Sequence, residues 1–330
     1  MPTIIGIAHC DNYNPENVGR AIRSAVEPLG GIASFVRPGQ RVLLKPNLVL
    51  ARRAEEAANT HPRFVIEVAR LVREARGEPV IGDSPALGSA RYVASRCGLL
   101  ELAQRSNLPL VEFRATRKMD SPRGAAGRLL RLACEALDAD VVINLPKLKA
   151  HGQMLLSLAI KNLFGCVRGR RKALLHLVLG SRPIQFARMV VGVCQAVRPA
   201  LTLMDGIVAH ERTGPTGGDP RRLGLVVAGA DCAAMDRVIC EILGADPERL
   251  LTLVAAREAG FGESDPDRIQ VIANSKTVGP PLSALAPWLA GQPFVLPERV
   301  SGLSFSPWRV VRGLVRQVWA LVGPAKQQKL

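Results

Sequence analysis

The sequence predicts an α/β fold, with a mostly parallel or mixed central sheet, helices on both faces and a basic amphipathic C-terminal helix. Two observations carry this expectation. Short runs rich in Val, Leu and Ile alternate with longer stretches of helical periodicity, as in a sheet wrapped by crossover helices. Four of the apolar runs are followed at once by short polar signatures, where an open α/β sheet gathers its ligand groups.

The first strong strand is Arg41 to Leu44, entered through the turn Val36-Arg37-Pro38-Gly39-Gln40. Pro62 to Arg76 follows as a helix with Phe64, Val65, Val68, Leu71 and Val72 on one side. Further strands are expected at Pro79 to Gly82, Val141 to Leu145, Leu201 to Met204, Leu223 to Ala228 and Ile269 to Ala273. The intervening helices are Gln153 to Phe164, stopped by Gly165, then Ile184 to Val197 and Ala233 to Leu243. From Pro280 onward, the five prolines at 280, 281, 287, 293 and 297 mark a loop-rich stretch, which divides the chain into residues 1–279 as the α/β domain and 280–330 as linker and tail. In that tail, Ser306 to Val322 combines Trp308, Leu314 and Trp319 with Arg309, Arg312 and Arg316, a helix suited to the chain's own core, to a partner or to an anionic membrane surface.

Composition narrows the function classes. Of the 330 residues 48% are hydrophobic and 4% aromatic, so the core is aliphatic and stacking platforms for single-stranded nucleic acid are scarce. The formal net charge is +16, but the basic residues are mostly arginines spread along helical faces such as Arg63, Arg70, Arg73 and Arg76. That spread reads as a solvated surface and argues against a nucleic-acid partner as the reason for the excess. Seven cysteines without a CxxC pair support neither a disulfide framework nor a zinc ribbon. No apolar stretch reaches the length of a membrane span, and Met1 to His9 carry no basic region ahead of a long apolar run. The expectation is a cytoplasmic protein, with peripheral contact at the inner membrane face as an option for the tail.

The polar strand ends are Lys45-Pro46-Asn47, Gly82-Asp83-Ser84-Pro85, Pro146-Lys147-Leu148-Lys149-Ala150-His151-Gly152 and Asp205-Gly206. Parallel topology would bring them to one rim. Asp and Asn at strand ends commonly cap the next helix, so each aspartate alone is weak. Two lysines and a histidine within five residues are harder to explain by packing. Lys161-Asn162 and the run Gly165 to Lys172, which contains Arg168, add cations and glycines next to His176, a combination suited to oxyanions. The run lacks the GK[ST] ending, and no GxGxxG follows the first strand, so ATP and NAD fingerprints are missing. His210 opens a glycine-rich loop ending at Gly218. Cys166 is expected to be a small buried residue.

These signatures resemble a bacterial and archaeal family known as domain of unknown function 362. The resemblance rests on LLKPNLV (Leu43 to Val49), THP (Thr60 to Pro62), VIGDSP (Val80 to Pro85), and ADVVINLPKLKAHG (Ala139 to Gly152) with KNLFG (Lys161 to Gly165). MDGIVAHERTGPTGG (Met204 to Gly218) and VAGADCAAMD (Val227 to Asp236) complete it. The resemblance implies an association with iron-sulfur modules carried by many relatives after this domain. Here no cysteine follows Cys240, so the C-terminal region has no cluster motif, and a redox or assembly role would need a separate ferredoxin-type carrier.

The sequence therefore points to a site for a small anionic metabolite, a carboxylate or phosphate. Lys147 and Lys149 would stabilise negative charge and His151 would carry a proton. Lys45, Asn47, Lys161, Asn162, Arg168, Lys172, His176 and His210 are the ligand-binding candidates, and Asp83 and Asp205 the candidates for a divalent metal. The rival readings are the accessory redox protein and nucleic-acid binding through net charge.

Overall fold

The computed structural model describes residues 2–85, 87–119, 130–179, 182–214, 217–289 and 291–298. The proposed C-terminal helix therefore lies outside the described residues. In chain order the first elements are β1 (Thr3–His9), α1 (Pro15–Val26), β2 (Arg41–Pro46), α2 (Pro62–Glu74) and β3 (Glu78–Asp83). Then come α3 (Ala90–Arg96), α4 (Leu99–Arg105), β4 (Leu110–Glu112), β5 (Thr116–Lys118), β6 (Arg131–Ala133) and α5 (Cys134–Leu137). The centre of the chain holds β7 (Val141–Leu145), β8 (Lys147–His151), β9 (Leu155–Ser157), α6 (Ala159–Asn162), α7 (Arg170–Leu179) and α8 (Pro183–Val197). The remainder is β10 (Leu201–Glu211), β11 (Asp219–Gly229), α9 (Cys232–Leu243), α10 (Leu251–Glu258), β12 (Ile269–Ala273) and β13 (Lys276–Val278).

The main sheet runs β13-β12-β1-β11-β10-β7-β2-β3-β4, with β8 pairing to β10 and β9. It is mixed. β7, β2, β3 and β4 are parallel to one another and to β10, while β11 is antiparallel to both β10 and β1. Strand alternation sends successive side chains into two separate cores. Val42, Leu44, Val141, Ile143, Val226 and Ala228 pack under α1, α2, α3 and α4. Leu43, Val142, Leu225 and Val227 face the opposite core, built from α6, α8, α9 and α10. Helices on both faces of a mixed sheet are the architecture expected from the sequence.

Three boundaries differ from the sequence reading. The apolar stretch from residue 153 to 164 is not one helix, because Leu155, Leu156 and Ser157 pair with His151, Ala150 and Lys149 as an edge strand. Every residue from Leu155 to Ile160 is buried, and an apolar run buried on all sides carries no period to tell strand from helix. Pro146 interrupts what is otherwise one long strand, so the polar segment after β7 is the strand β8 rather than a loop. Similarly, β10 continues seven residues past Met204 and returns through β11.

The proline-rich stretch does not hang free of the domain. Leu282, Ala286 and Phe294 join the second core, the Arg212 amide donates to Val295 O at 2.7 Å, and the Val295 amide donates to Glu211. Arg70 and Arg73, two of the scattered surface cations, are engaged internally. Arg70 pairs with Glu67 and Glu74, and Arg73 donates to Ser106 O and Asn107 O. Among the described residues no helix is long and apolar enough to cross a membrane.

Candidate functional site

Alternation along β8 builds one side of the site. Leu148 and Ala150 enter the apolar core, so Lys147, Lys149 and His151 share the other face. All three are buried, the two lysines at 1% exposure. Burying an ammonium is costly unless charge or hydrogen bonds replace its water, so the partners of each lysine define what the site lacks.

Lys147 has a carboxylate and a hydroxyl partner. Its Nζ lies 2.8 Å from Asp205 Oδ2 and 2.9 Å from the Tyr13 hydroxyl. Asp205 also accepts from the Tyr13 hydroxyl at 2.8 Å and from the His61 amide at 2.9 Å. The register sets this up, because Asp205 and Lys147 are direct partners across β10 and β8. Tyr13 stacks on His61 with ring centroids 3.5 Å apart. Burial and the Asp205 carboxylate push the Tyr13 phenol well above its ordinary range, which keeps it a neutral donor. Burial holds His61 down at about 4, so that ring is uncharged near neutrality.

Lys45 is also neutralised, 3.0 Å from Asp83 Oδ1. Asp83 accepts in addition from the amides of Leu48 and Ser84. Asn162 knits this pair to the sheet. Its Oδ1 accepts from Lys45 and from Asn47 Nδ2, and its Nδ2 donates to Asn144 Oδ1 and Lys45 O. Asn47 in turn accepts from Lys149 Nζ at 2.6 Å.

The remaining lysines of the cluster have no carboxylate partner among the described residues. There Lys149 donates to Asn47 Oδ1 and Ala58 O, and burial together with the charges of Lys161, Lys147 and Lys45 lowers it well below the ordinary lysine range. Lys172 donates to Ser84 O, and burial brings it down to about 8. Lys161 is half-buried and has neither a hydrogen-bond nor an ion-pair partner among the described residues. Burial and the charges of Lys172 and Lys45 bring it to about 7. Five lysines thus gather around two aspartates. This chain has nine lysines and 35 arginines, so more than half of its lysines are spent here.

His210 completes the cluster from β10, in register with Lys149. It is 2% exposed, its Nδ1 has no partner among the described residues, and burial with the nearby Lys149 and Lys147 lowers it to about 4. A buried polar atom left unsatisfied costs roughly 1–3 kcal/mol. His151 accepts from the Gln153 amide at Nδ1.

The backbone closes tightly over the Lys45 pair at Gly165. A methyl group there would come within 2.2 Å of Lys45 Nζ and 2.3 Å of Asp83 Oδ1, so only glycine lets this turn cover the ion pair. Asp236 holds the turn's approach. It accepts from the amides of Ala159 and Ile160 at the start of α6, the helix that carries Lys161 and Asn162.

Of the sequence-derived candidates, Lys45, Asn47, Asp83, Lys149 and Asn162 converge through direct contacts, Lys147 and Asp205 pair with each other and adjoin them along β8, Lys172 joins through Ser84, and Lys161 and His210 join through their electrostatics with Lys149. Arg168 does not join, because it is exposed and donates to Arg114 O on the surface. The side chain of His176 lies outside the described residues. Asp83 and Asp205, the candidates for a divalent metal, each stand as the counter-ion of a lysine, and their oxygens accept backbone or tyrosine protons. No group of three or more His, Cys, Asp or Glu suited to a metal ion occurs among the described residues. Burial pushes the Cys166 thiol up to about 12, so it is an inert core residue despite the cations beside it.

Tyr13, His61, Asn144 and Ser84 were not foreseen. Tyr13 lies in an ordinary polar turn of sequence with nothing to distinguish it. His61 sits within the THP signature, where its Nδ1 accepts from the Arg63 amide and caps α2.

Comparison with known proteins places the chain. A thylakoid-associated protein of Synechocystis sp. is 46% identical over 262 residues, covering 79% of this chain and 81% of the relative. The lactate racemase apoprotein of Thermoanaerobacterium thermosaccharolyticum aligns with a TM-score of 0.43 and 10% identity, covering 70% of this chain and 55% of the racemase chain. Residues 42–241 match the family described as Domain of unknown function (DUF362), a span that contains every lysine of the cluster, and the chain belongs to that family.

Proposed function

We propose that this cluster binds a small anionic metabolite, a carboxylate or a phosphate ester, at the rim formed by β2, β3 and β8. The observation that supports this reading is the charge imbalance of five lysines against two aspartates in a largely buried site. Lys45 and Lys147 are neutralised, so the attraction for an anion comes from Lys149, Lys161 and Lys172. An anion among them would relieve like-charge repulsion and supply the missing acceptors. His210 Nδ1 offers a further polar contact. Lys149 is the group placed to stabilise charge developing on the ligand, and His151 on the same strand face is the proton carrier.

Thermal unfolding in inorganic phosphate, oxalate or acetate, against chloride at equal ionic strength, tests the reading. A saturable rise in Tm is expected, because a ligand at a hundred times its Kd stabilises the native state by about 2.7 kcal/mol. Lys149→Met should weaken the apparent affinity at least tenfold. If none of the three anions raises Tm beyond the chloride control, the reading falls.

The thylakoid-associated relative supports a second proposal, about location, that this chain associates peripherally with a membrane. Flotation with anionic phospholipid vesicles tests it, and a chain that stays in the aqueous fraction at low salt would end it.

A further inference from the structure

We propose that Lys161 is a covalent nucleophile that forms a Schiff base with the carbonyl carbon of a small oxo acid, its carboxylate held by the neighbouring Lys149 and Lys172. This rests on the anion-binding reading above and narrows its ligand to a carbonyl compound.

Four of the five lysines in the cluster are engaged. Lys45 and Lys147 are bound to aspartates, while Lys149 and Lys172 donate to carbonyl oxygens. Lys161 alone has no partner among the described residues and keeps partial exposure. Its position is nevertheless fixed. Asp236 caps the first two amides of α6, and Asn162, the next residue, is held by Asn47, Asn144 and Lys45. A rigid helix therefore presents an unengaged amine beside a cationic interior.

The residue type agrees. The chain uses arginine for most of its positive charge, yet every cation in this cluster is a lysine. Arginine would bind an anion at least as well and would fork onto a carboxylate, but it cannot release its proton. Lysine can, and burial among other cations is the usual way to obtain a neutral, nucleophilic amine. The groups facing Lys161 are Lys45, Lys149 and Lys172, with Asp83 paired to Lys45, and burial with the charges of Lys172 and Lys45 brings its amine to about 7.

The step balances without a further reactant. The amine lone pair attacks the carbonyl carbon, the C=O π pair moves onto oxygen, and that oxygen takes a proton from the attacking nitrogen to give a carbinolamine. Loss of the hydroxyl with the second N–H proton releases one water and leaves C=N. No electron is gained or lost.

The test is borohydride trapping with glyoxylate as the probe. Reduction of its imine leaves a carboxymethyl group on the lysine, located by peptide mass mapping. Labelling of Lys161 is expected at least tenfold faster than that of the exposed Lys118 and Lys276, with a half-maximal rate near pH 7 instead of the ordinary lysine range. Lys161→Arg, which keeps the positive charge but cannot form an imine, should lose the adduct. Lys161→Met provides a second check should the guanidinium disturb its neighbours. Labelling of Lys161 no faster than of Lys118 and Lys276, or an adduct that persists in both variants, overturns the proposal. A Tm response to oxalate without any Lys161 adduct would sink this inference alone, whereas absence of a Tm response to every anion would sink the reading beneath it.

Discussion

Replacing Asp205 by Asn isolates one charge at the centre of the site. Asp205 is fully buried and lies 2.8 Å from Lys147 Nζ, which is itself 1% exposed. The amide side chain has nearly the same shape. It keeps an oxygen for the His61 amide or for Tyr13, so the main loss is the counter-charge. Removing one member of a buried pair costs about 3–5 kcal/mol, since the other charge stays in the interior unpaired. At roughly 2.1 cal/mol/K per residue of unfolding entropy, the 330-residue chain should lose about 4–7 °C in Tm. Urea unfolding at pH 7 measures the difference. Burial already lowers Lys147, and without Asp205 it falls further. The folded state then releases a proton that the unfolded chain retains, so the variant should regain stability as pH rises towards 10. Adding Lys147→Met to the variant should recover most of the loss. A cost below about 1 kcal/mol, the scale of an exposed ion pair, or a double variant no more stable than the single one, would refute the view that this pair is held dry.

Other expectations concern the neighbouring groups. Gly165→Ala forces a methyl onto Lys45 and Asp83 and should cost about 1–3 kcal/mol as overpacking, together with any anion response, as read by urea unfolding and the phosphate titration. Asn162→Ala removes acceptor and donor contacts to Lys45, Asn47 and Asn144 at once. It should destabilise by about 2–4 kcal/mol, more than a single neutral hydrogen bond is worth, because buried groups are left unsatisfied. Lys161 binds its proton less tightly when folded, at about 7 against 10.5, so its contribution makes stability rise between pH 7 and 10. Lys161→Met should flatten that slope by up to about 1.4 kcal/mol per pH unit. The reverse change would contradict a crowded amine. His210, depressed to about 4 from 6.5, contributes stability that is lost as pH falls from 6.5 towards 4, so His210→Gln should be less acid-sensitive over that window.

The sequence by itself determined the α/β class, the positions of β2, β3, β7 and β12, and the presence of a lysine-rich rim. These follow from short-range rules: apolar runs must be buried, and alternation in KLKAH must put Lys147, Lys149 and His151 on one face. Sequence also pointed to Asp83 and Asp205, but it could not show which cation stands opposite each carboxylate. Only the tertiary structure decided that Lys45 and Lys147 neutralise them, that Tyr13 and His61 share the Asp205 pair, and that Lys161 has no partner among the described residues. Those facts depend on strand order and register between segments up to 192 residues apart, and no local pattern encodes the distance between two buried charges. The division of β9 from α6 belongs with them. A run buried on every side is set by its neighbours, here the edge of β8, and not by its own periodicity.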